Sequence, residues 1–100
     1  MNAKEEYIRH VTNKPAVKCA KIQIDNWEEQ YNCPTFYLKT NGNLKEFLDN
    51  INVNYDNGYG GQNLYGFIWY EDGSWSKRGE YDGSEWWEHM TLPIIPKECL

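Results

Sequence analysis

LYGFIWYEDGSWSKRGEY, residues 64–81, is the stretch on which the fold turns. Leu64 to Tyr70 is dense in aromatic and branched side chains, which suit a pleated, half-buried strand. Asp72-Gly73 is a two-residue hairpin signal, and Trp75 to Tyr81 supplies the returning strand. In that register Tyr70 faces Trp75 and Trp69 faces Ser76, so an aromatic pair is expected to lock the hairpin.

Upstream, Thr35 to Thr40 and Val17 to Ile24 alternate apolar and polar residues. Ala20, Ile22 and Ile24 share one face of the earlier segment, and Phe36 and Leu38 one face of the later. These two strands are expected to pair. Between them, Asp25 to Pro34 has no periodicity and reads as a loop. Leu44, Phe47, Leu48 and Ile51 follow the i, i+3, i+4, i+7 pattern of an amphipathic helix over 43–51. Asn43 stands at its cap with Glu46 three residues on. Residues 3–11 combine helix formers with Tyr7, Ile8 and Val11 on one face, Asn2 as a cap, and a stop before Pro15.

Residues 52–63 read as a glycine- and asparagine-rich loop with a strand-like fragment at Asn52–Tyr55. The glycines at 58, 60 and 61 lack the lysine and the strand–loop–helix setting of a phosphate loop. Downstream, Asp82-Gly83 makes a second turn. Ser84 is expected to cap one helical turn through Glu88, and Pro93 and Pro96 to stiffen an extended tail over 90–100. The expected architecture is one α+β domain over 1–100, an antiparallel sheet of about four strands with two short helices on one face. The other face is left to solvent or to a partner.

Sixteen of the 100 residues are aromatic, with 5 Trp and 8 Tyr. Such side chains build a core from few residues, and they also mark binding surfaces. The net charge of −5 is uneven: residues 1–24 carry +3, and 25–56 and 57–100 each carry −4. An acidic chain without a basic stripe is not expected to bind nucleic acid. Cys19, Cys33 and Cys99 have neither zinc-ligand nor disulfide-framework spacing, and are expected to be reduced thiols. The opening residues Met1–Glu6 lack the apolar core of a signal peptide, and no run approaches the ~18 apolar residues of a membrane span. A cytoplasmic location is expected.

Arg78 to His89, RGEYDGSEWWEH, is the densest constellation. A catalytic reading uses His89 as base, oriented by Glu88 or by Glu85, four residues away on the same helical face, but only Ser84 accompanies it as a nucleophile. A metal reading recruits Asp82, Glu85 and His89, with no second histidine nearby because His10 is at the other end of the chain. An interface reading takes Tyr81, Trp86 and Trp87 as anchors and the carboxylates as a rim. Against it stands a reading in which both tryptophans plug the core. In a strand, adjacent tryptophans point to opposite faces.

The run Gly66-Phe67-Ile68-Trp69, Asp72-Gly73-Ser74-Trp75 and Arg78 to His89, closing in Pro93 and Pro96, resembles a set of small accessory proteins encoded by bacteriophages and prophages. The likeness covers about the last 45 residues of the chain. It implies a phage accessory gene, whose products often bind and inhibit a host enzyme or defence complex, and it brings no catalytic residues with it.

The expected function is therefore protein binding in a host cytoplasm, without cofactor, metal or enzymatic activity. Its surface comprises Tyr59, Trp69, Trp75, Tyr81, Asp82, Glu85, Trp86, Trp87, Glu88 and His89. The alternatives are a small hydrolytic or metal-dependent enzyme built on His89, and a self-assembling component or homodimer pairing through its hairpin edge.

Overall fold

The computed structural model describes residues 1–25, 34–55, 62–81 and 84–100. Five strands form one antiparallel sheet: β1 (Val17–Ile24), β2 (Thr35–Leu38), β3 (Leu64–Tyr70), β4 (Trp75–Tyr81) and β5 (Ser84–Met90), in the order β2-β1-β3-β4-β5. Two helices, α1 (Ala3–Val11) and α2 (Leu44–Asn50), accompany it, so the α+β class holds with one strand more than expected.

The extra strand is β5, which replaces the helical turn expected from Ser84 to Glu88. Its register with β4 runs from Tyr81↔Ser84 to Trp75↔Met90. Seven residues of ladder outweigh what one capped turn can offer, because a single turn fixes many torsions for one hydrogen bond.

The β3–β4 hairpin also differs from its expected register. Trp69, not Tyr70, lies opposite Trp75, and Ile68 opposite Ser76. The Gly73 amide donates to the Tyr70 carbonyl at 3.1 Å and the Tyr70 amide to the Ser74 carbonyl at 3.0 Å. The loop therefore has three residues, and Gly73 takes the left-handed conformation (φ 87°) that such a loop requires. Asp72 fixes it by accepting from the Ser74 amide at 2.9 Å and from the Ser74 hydroxyl.

The helices start at their expected caps. The side chains of Asn2 and Asn43 accept the amides of Glu5 and Glu46, each at 3.0 Å. The buried face of α1 is Ala3 and Tyr7, with Val11 packed at its edge, while Ile8 is exposed. Spacing of four, rather than the Tyr7–Ile8 adjacency, therefore aims this helix. In α2, Phe47 is buried and meets Tyr7 edge-on, with ring centroids 5.6 Å apart. The fragment expected near Asn52–Tyr55 is a bridge, Asn2↔Asn54, where Asn2 also donates to the side chains of Asn52 and Asn54.

Alternation then sorts every strand. Ala20, Ile22, Ile24, Leu38, Leu64, Ile68, Tyr70 and Trp87 point inward and form one core with Ala3, Tyr7, Phe47 and Ile51. Gly66 belongs to this inner face, opposite Ile22, where the β1 backbone comes so close that a Cβ would lie 2.3 Å from the Lys21 carbonyl oxygen. Beyond β5 the chain runs without helix or strand to a short 3₁₀ turn at Lys97–Cys99. Leu92, Ile94, Ile95 and Leu100 are exposed there. Among the described residues, no helix is long and apolar enough to cross a membrane.

Candidate functional site

The strand assignment of 84–90 divides the expected surface in two. Trp69, Trp75, Tyr81, Trp86 and Glu88 lie on the outer face of the sheet, away from the core, whereas Glu85, Trp87 and His89 lie on the inner face. Tyr59 and Asp82, and with them the expected turn at Asp82-Gly83 and the glycine-rich loop over 56–61, lie outside the described residues. The single patch expected from the sequence is therefore corrected to two sites back to back.

On the inner face the charged groups serve the fold. Arg78, with a side chain 1% exposed, enters from β4 and is held by acids from two directions. Its Nη1 and Nη2 donate to the two carboxylate oxygens of Glu6 at 2.7 and 3.2 Å, and its Nε donates to Glu85 at 3.5 Å. Its Nη2 also donates to the Tyr55 hydroxyl at 2.5 Å, and that hydroxyl donates to Glu6. The guanidinium lies 5.6 Å from the Tyr55 ring centroid and 5.4 Å from that of Trp87. Burial, and then the bond to Glu6, raise the Tyr55 phenol above its ordinary range, so it stays a donor at neutral pH.

Glu85 is not the rim carboxylate expected. It is 4% exposed and accepts the backbone amides of Asn63 and Leu64 at 2.8 and 2.9 Å, which anchors the start of β3. Trp87, 8% exposed, stacks on His10 with ring centroids 6.2 Å apart.

The acid–base pair of the catalytic reading, Glu85 with His89, does not form. Four residues apart in a strand, they are separated by about 13 Å along the chain rather than by one helical turn. His89 instead meets the Ser74 hydroxyl at 3.1 Å, and Ser74 donates to Asp72. In this trio the serine is in the middle, buried, and already bonded to the carboxylate. A serine nucleophile needs the histidine between itself and the acid. These bonds tie the hairpin loop to β5. They also hold the Asp72 carboxyl below the usual carboxylate range, the Ser74 side chain first and the Ser74 amide next.

His10 meets the Ser76 hydroxyl at 2.7 Å, and Ser76 meets the Tyr70 hydroxyl at 2.7 Å. Burial, Lys14 and His89 push the His10 imidazole down to about 4, with Arg78 adding to them and Glu6 opposing, so the ring is neutral at pH 7. Among the described residues, no group of three or more His, Cys, Asp or Glu side chains is placed to hold a metal ion.

Among the described residues, the outer face carries no helix. Its register places Tyr37 beside Lys21, Lys21 beside Phe67, Phe67 beside Lys77, and Lys77 beside Glu88, one continuous row across all five strands. The next row holds Cys19, Trp69, Trp75 and Met90. Phe67 and Trp69 stack with centroids 5.7 Å apart. Trp86 lies over Gly79, where a Cβ would come within 2.7 Å of the indole nitrogen, and that nitrogen donates to Glu88 at 2.8 Å. Tyr37, Tyr65, Phe67, Trp69, Tyr81 and Trp86 are 60, 40, 44, 38, 76 and 37% exposed. Such a run of large exposed aromatics is not scattered surface apolarity, because register makes it one patch.

Tyr37, Tyr65 and Phe67 were not among the expected site residues. The signal that finds Tyr65 and Phe67 is the two-residue period of 64–70, which puts them and Trp69 on the face opposite Leu64, Ile68 and Tyr70, and Tyr37 alternates likewise with Phe36 and Leu38. Compared with models of known protein families, with curated proteins and with solved structures, the chain matches none.

Proposed function

We propose that this chain is a small binding protein that works through the outer face of its sheet, and that its partner is a bacterial host protein. The observation that carries this reading is the six-aromatic patch. Among the described residues, helices cover one side of the sheet only, and the other side exposes aromatic anchors with Lys21, Lys77 and Glu88 among them. Buried aromatic anchors within polar surroundings supply most of the energy of protein interfaces. The resemblance of residues 66–89 to small phage and prophage proteins supports the class of partner, a host enzyme or defence complex that binding modulates or inhibits. Tyr81, Trp86 and Glu88 extend the patch to the edge strand β5.

The experiment is retention of host proteins on the immobilised chain, compared with a Tyr37→Ser/Phe67→Ser variant of unchanged circular dichroism. One host protein retained by the unaltered chain and lost with the variant is the expected result. Equal retention on both removes the outer face as the working surface.

Self-association is the second reading, favoured by the exposed tail residues Leu92, Ile94 and Ile95 in addition to the exposed outer-face aromatics. Sedimentation distinguishes it: a mass that doubles with concentration and reverts in the same variant assigns the patch to a second copy.

A further inference from the structure

A cleft opens on the helix-covered side of the sheet. It measures about 310 Å³, lies where the last turn of α1 and the two residues Asn13 and Lys14 pass over β5, and is lined by Glu6, Arg9, His10, Asn13, Lys14 and Trp87. This volume is at the lower end of small-molecule pockets.

Three features of the wall share one deficit. Arg9 makes no ion pair among the described residues, and the Lys14 ammonium reaches only the Asn13 side-chain oxygen, at 3.0 Å. Glu6, the carboxylate of the wall, is already bonded twice by Arg78 and once by Tyr55. The Trp87 indole N–H is buried and has no acceptor among the described residues. Buried donors are nearly always satisfied, and one that is not asks what completes it. The C-terminal carbonyls of α1 add partial negative charge at this end of the helix. Two formal cations outweigh it.

We propose that this cleft binds a small oxyanion, the phosphate or carboxylate group of a small molecule, with Arg9 and Lys14 as its charge partners and the Trp87 indole as its floor. An oxyanion is the ligand type that supplies both a counter-charge to the two cations and an acceptor for an N–H. The site is independent of the outer face, since all its residues lie on α1, the turn after it, or the inward side of β5.

The test is nuclear magnetic resonance on the full isotope-labelled chain, titrated with sulfate and, in a separate arm, with acetate, against chloride at equal ionic strength. Sulfate keeps its charge across the range in which histidine titrates. The expected result is a saturable shift of the Trp87 indole N–H and a rise of the His10 midpoint by about one unit or more, as an adjacent anion favours imidazolium. In an Arg9→Ala/Lys14→Ala variant of unchanged fold, affinity should fall about tenfold or more, the loss expected for charge-assisted hydrogen bonds. Response to sulfate alone assigns a phosphoryl-type group, and response to acetate alone a carboxylate. Trp87 and His10 unmoved in both arms, or shifting equally in the variant, overturns the proposal.

Discussion

Trp86 and Trp87 are neighbours in one strand, yet they belong to different physical problems. Trp87 closes over Arg78 and His10 at 8% exposure, and Trp86 lies across Gly79 on the bare side at 37%. The same contrast runs through the whole sheet. Its inner face includes charges and hydroxyls, namely Arg78, Glu85, Ser74 and Ser76, each bonded to a partner. Its outer face is rich in exposed aromatics, and among the described residues no helix lies above it. Buried polar residues thus sit among the core side chains where partners satisfy them, and large rings are exposed on the outer face among Lys21, Lys77 and Glu88. An amino acid's polarity does not by itself say which side of a sheet it occupies. What it meets there does.

Substitutions that remove an inner-face partner should give the largest effects. Arg78→Ala leaves Glu6 and Glu85 without their shared cation, and a broken buried ion pair costs about 3–5 kcal/mol. Urea unfolding should show that loss, or a chain that no longer folds. Trp87→Ala belongs in the same range, as a large core truncation. Gly66→Ala should cost about 1–3 kcal/mol, because the added methyl group forces β3 away from Lys21. A neutral result there would mean that the sheet yields more easily than its register implies.

The third effect is on pH. His10 has its folded pKa lowered to about 4 from 6.5, so below 6.5 the unfolded chain takes up a proton that the folded chain refuses. Melting temperature should fall as pH is lowered from 6.5 through 4, and His10→Gln should flatten that slope. The Asp72 carboxyl, also lowered, adds its own loss only at still more acidic pH. The smallest effects belong to the outer face. Tyr37→Ser and Tyr65→Ser should each change stability by about 0.5 kcal/mol or less in thermal melts, while weakening partner binding. If they destabilise as much as Gly66→Ala, the contrast between the faces fails.

Most of the fold was legible from local signals. The alternation in 17–24, 35–38 and 64–70 and the caps at Asn2 and Asn43 are carried by the residues that form them. What escaped was set by partners distant in sequence. Ser84 after Gly83 looks like a helix cap, and only the seven-residue ladder with β4 makes it the start of a strand. The hairpin register moved by one because Asp72 captures Ser74, a side-chain bond that the Asp-Gly signal does not announce. Nothing near Arg78 reveals that Glu6, 72 residues earlier, awaits it. Three of the ten expected surface residues, Glu85, Trp87 and His89, turn inward for this reason. Carboxylates in a polar stretch look solvated until the opposite strand is known.

The strand order has a consequence for how the chain comes to be made. β3, β4 and β5 follow one another closely in sequence and pair with their neighbours, so they can assemble as soon as they exist. β1 must close a loop of roughly forty residues to reach β3, and such closures slow folding. On the ribosome, Ala20, Ile22 and Ile24 emerge before the strand that completes their shelter. The first half of this chain is made early and finished late, and its exposure to chaperones and proteases is set by the time its second half takes to arrive.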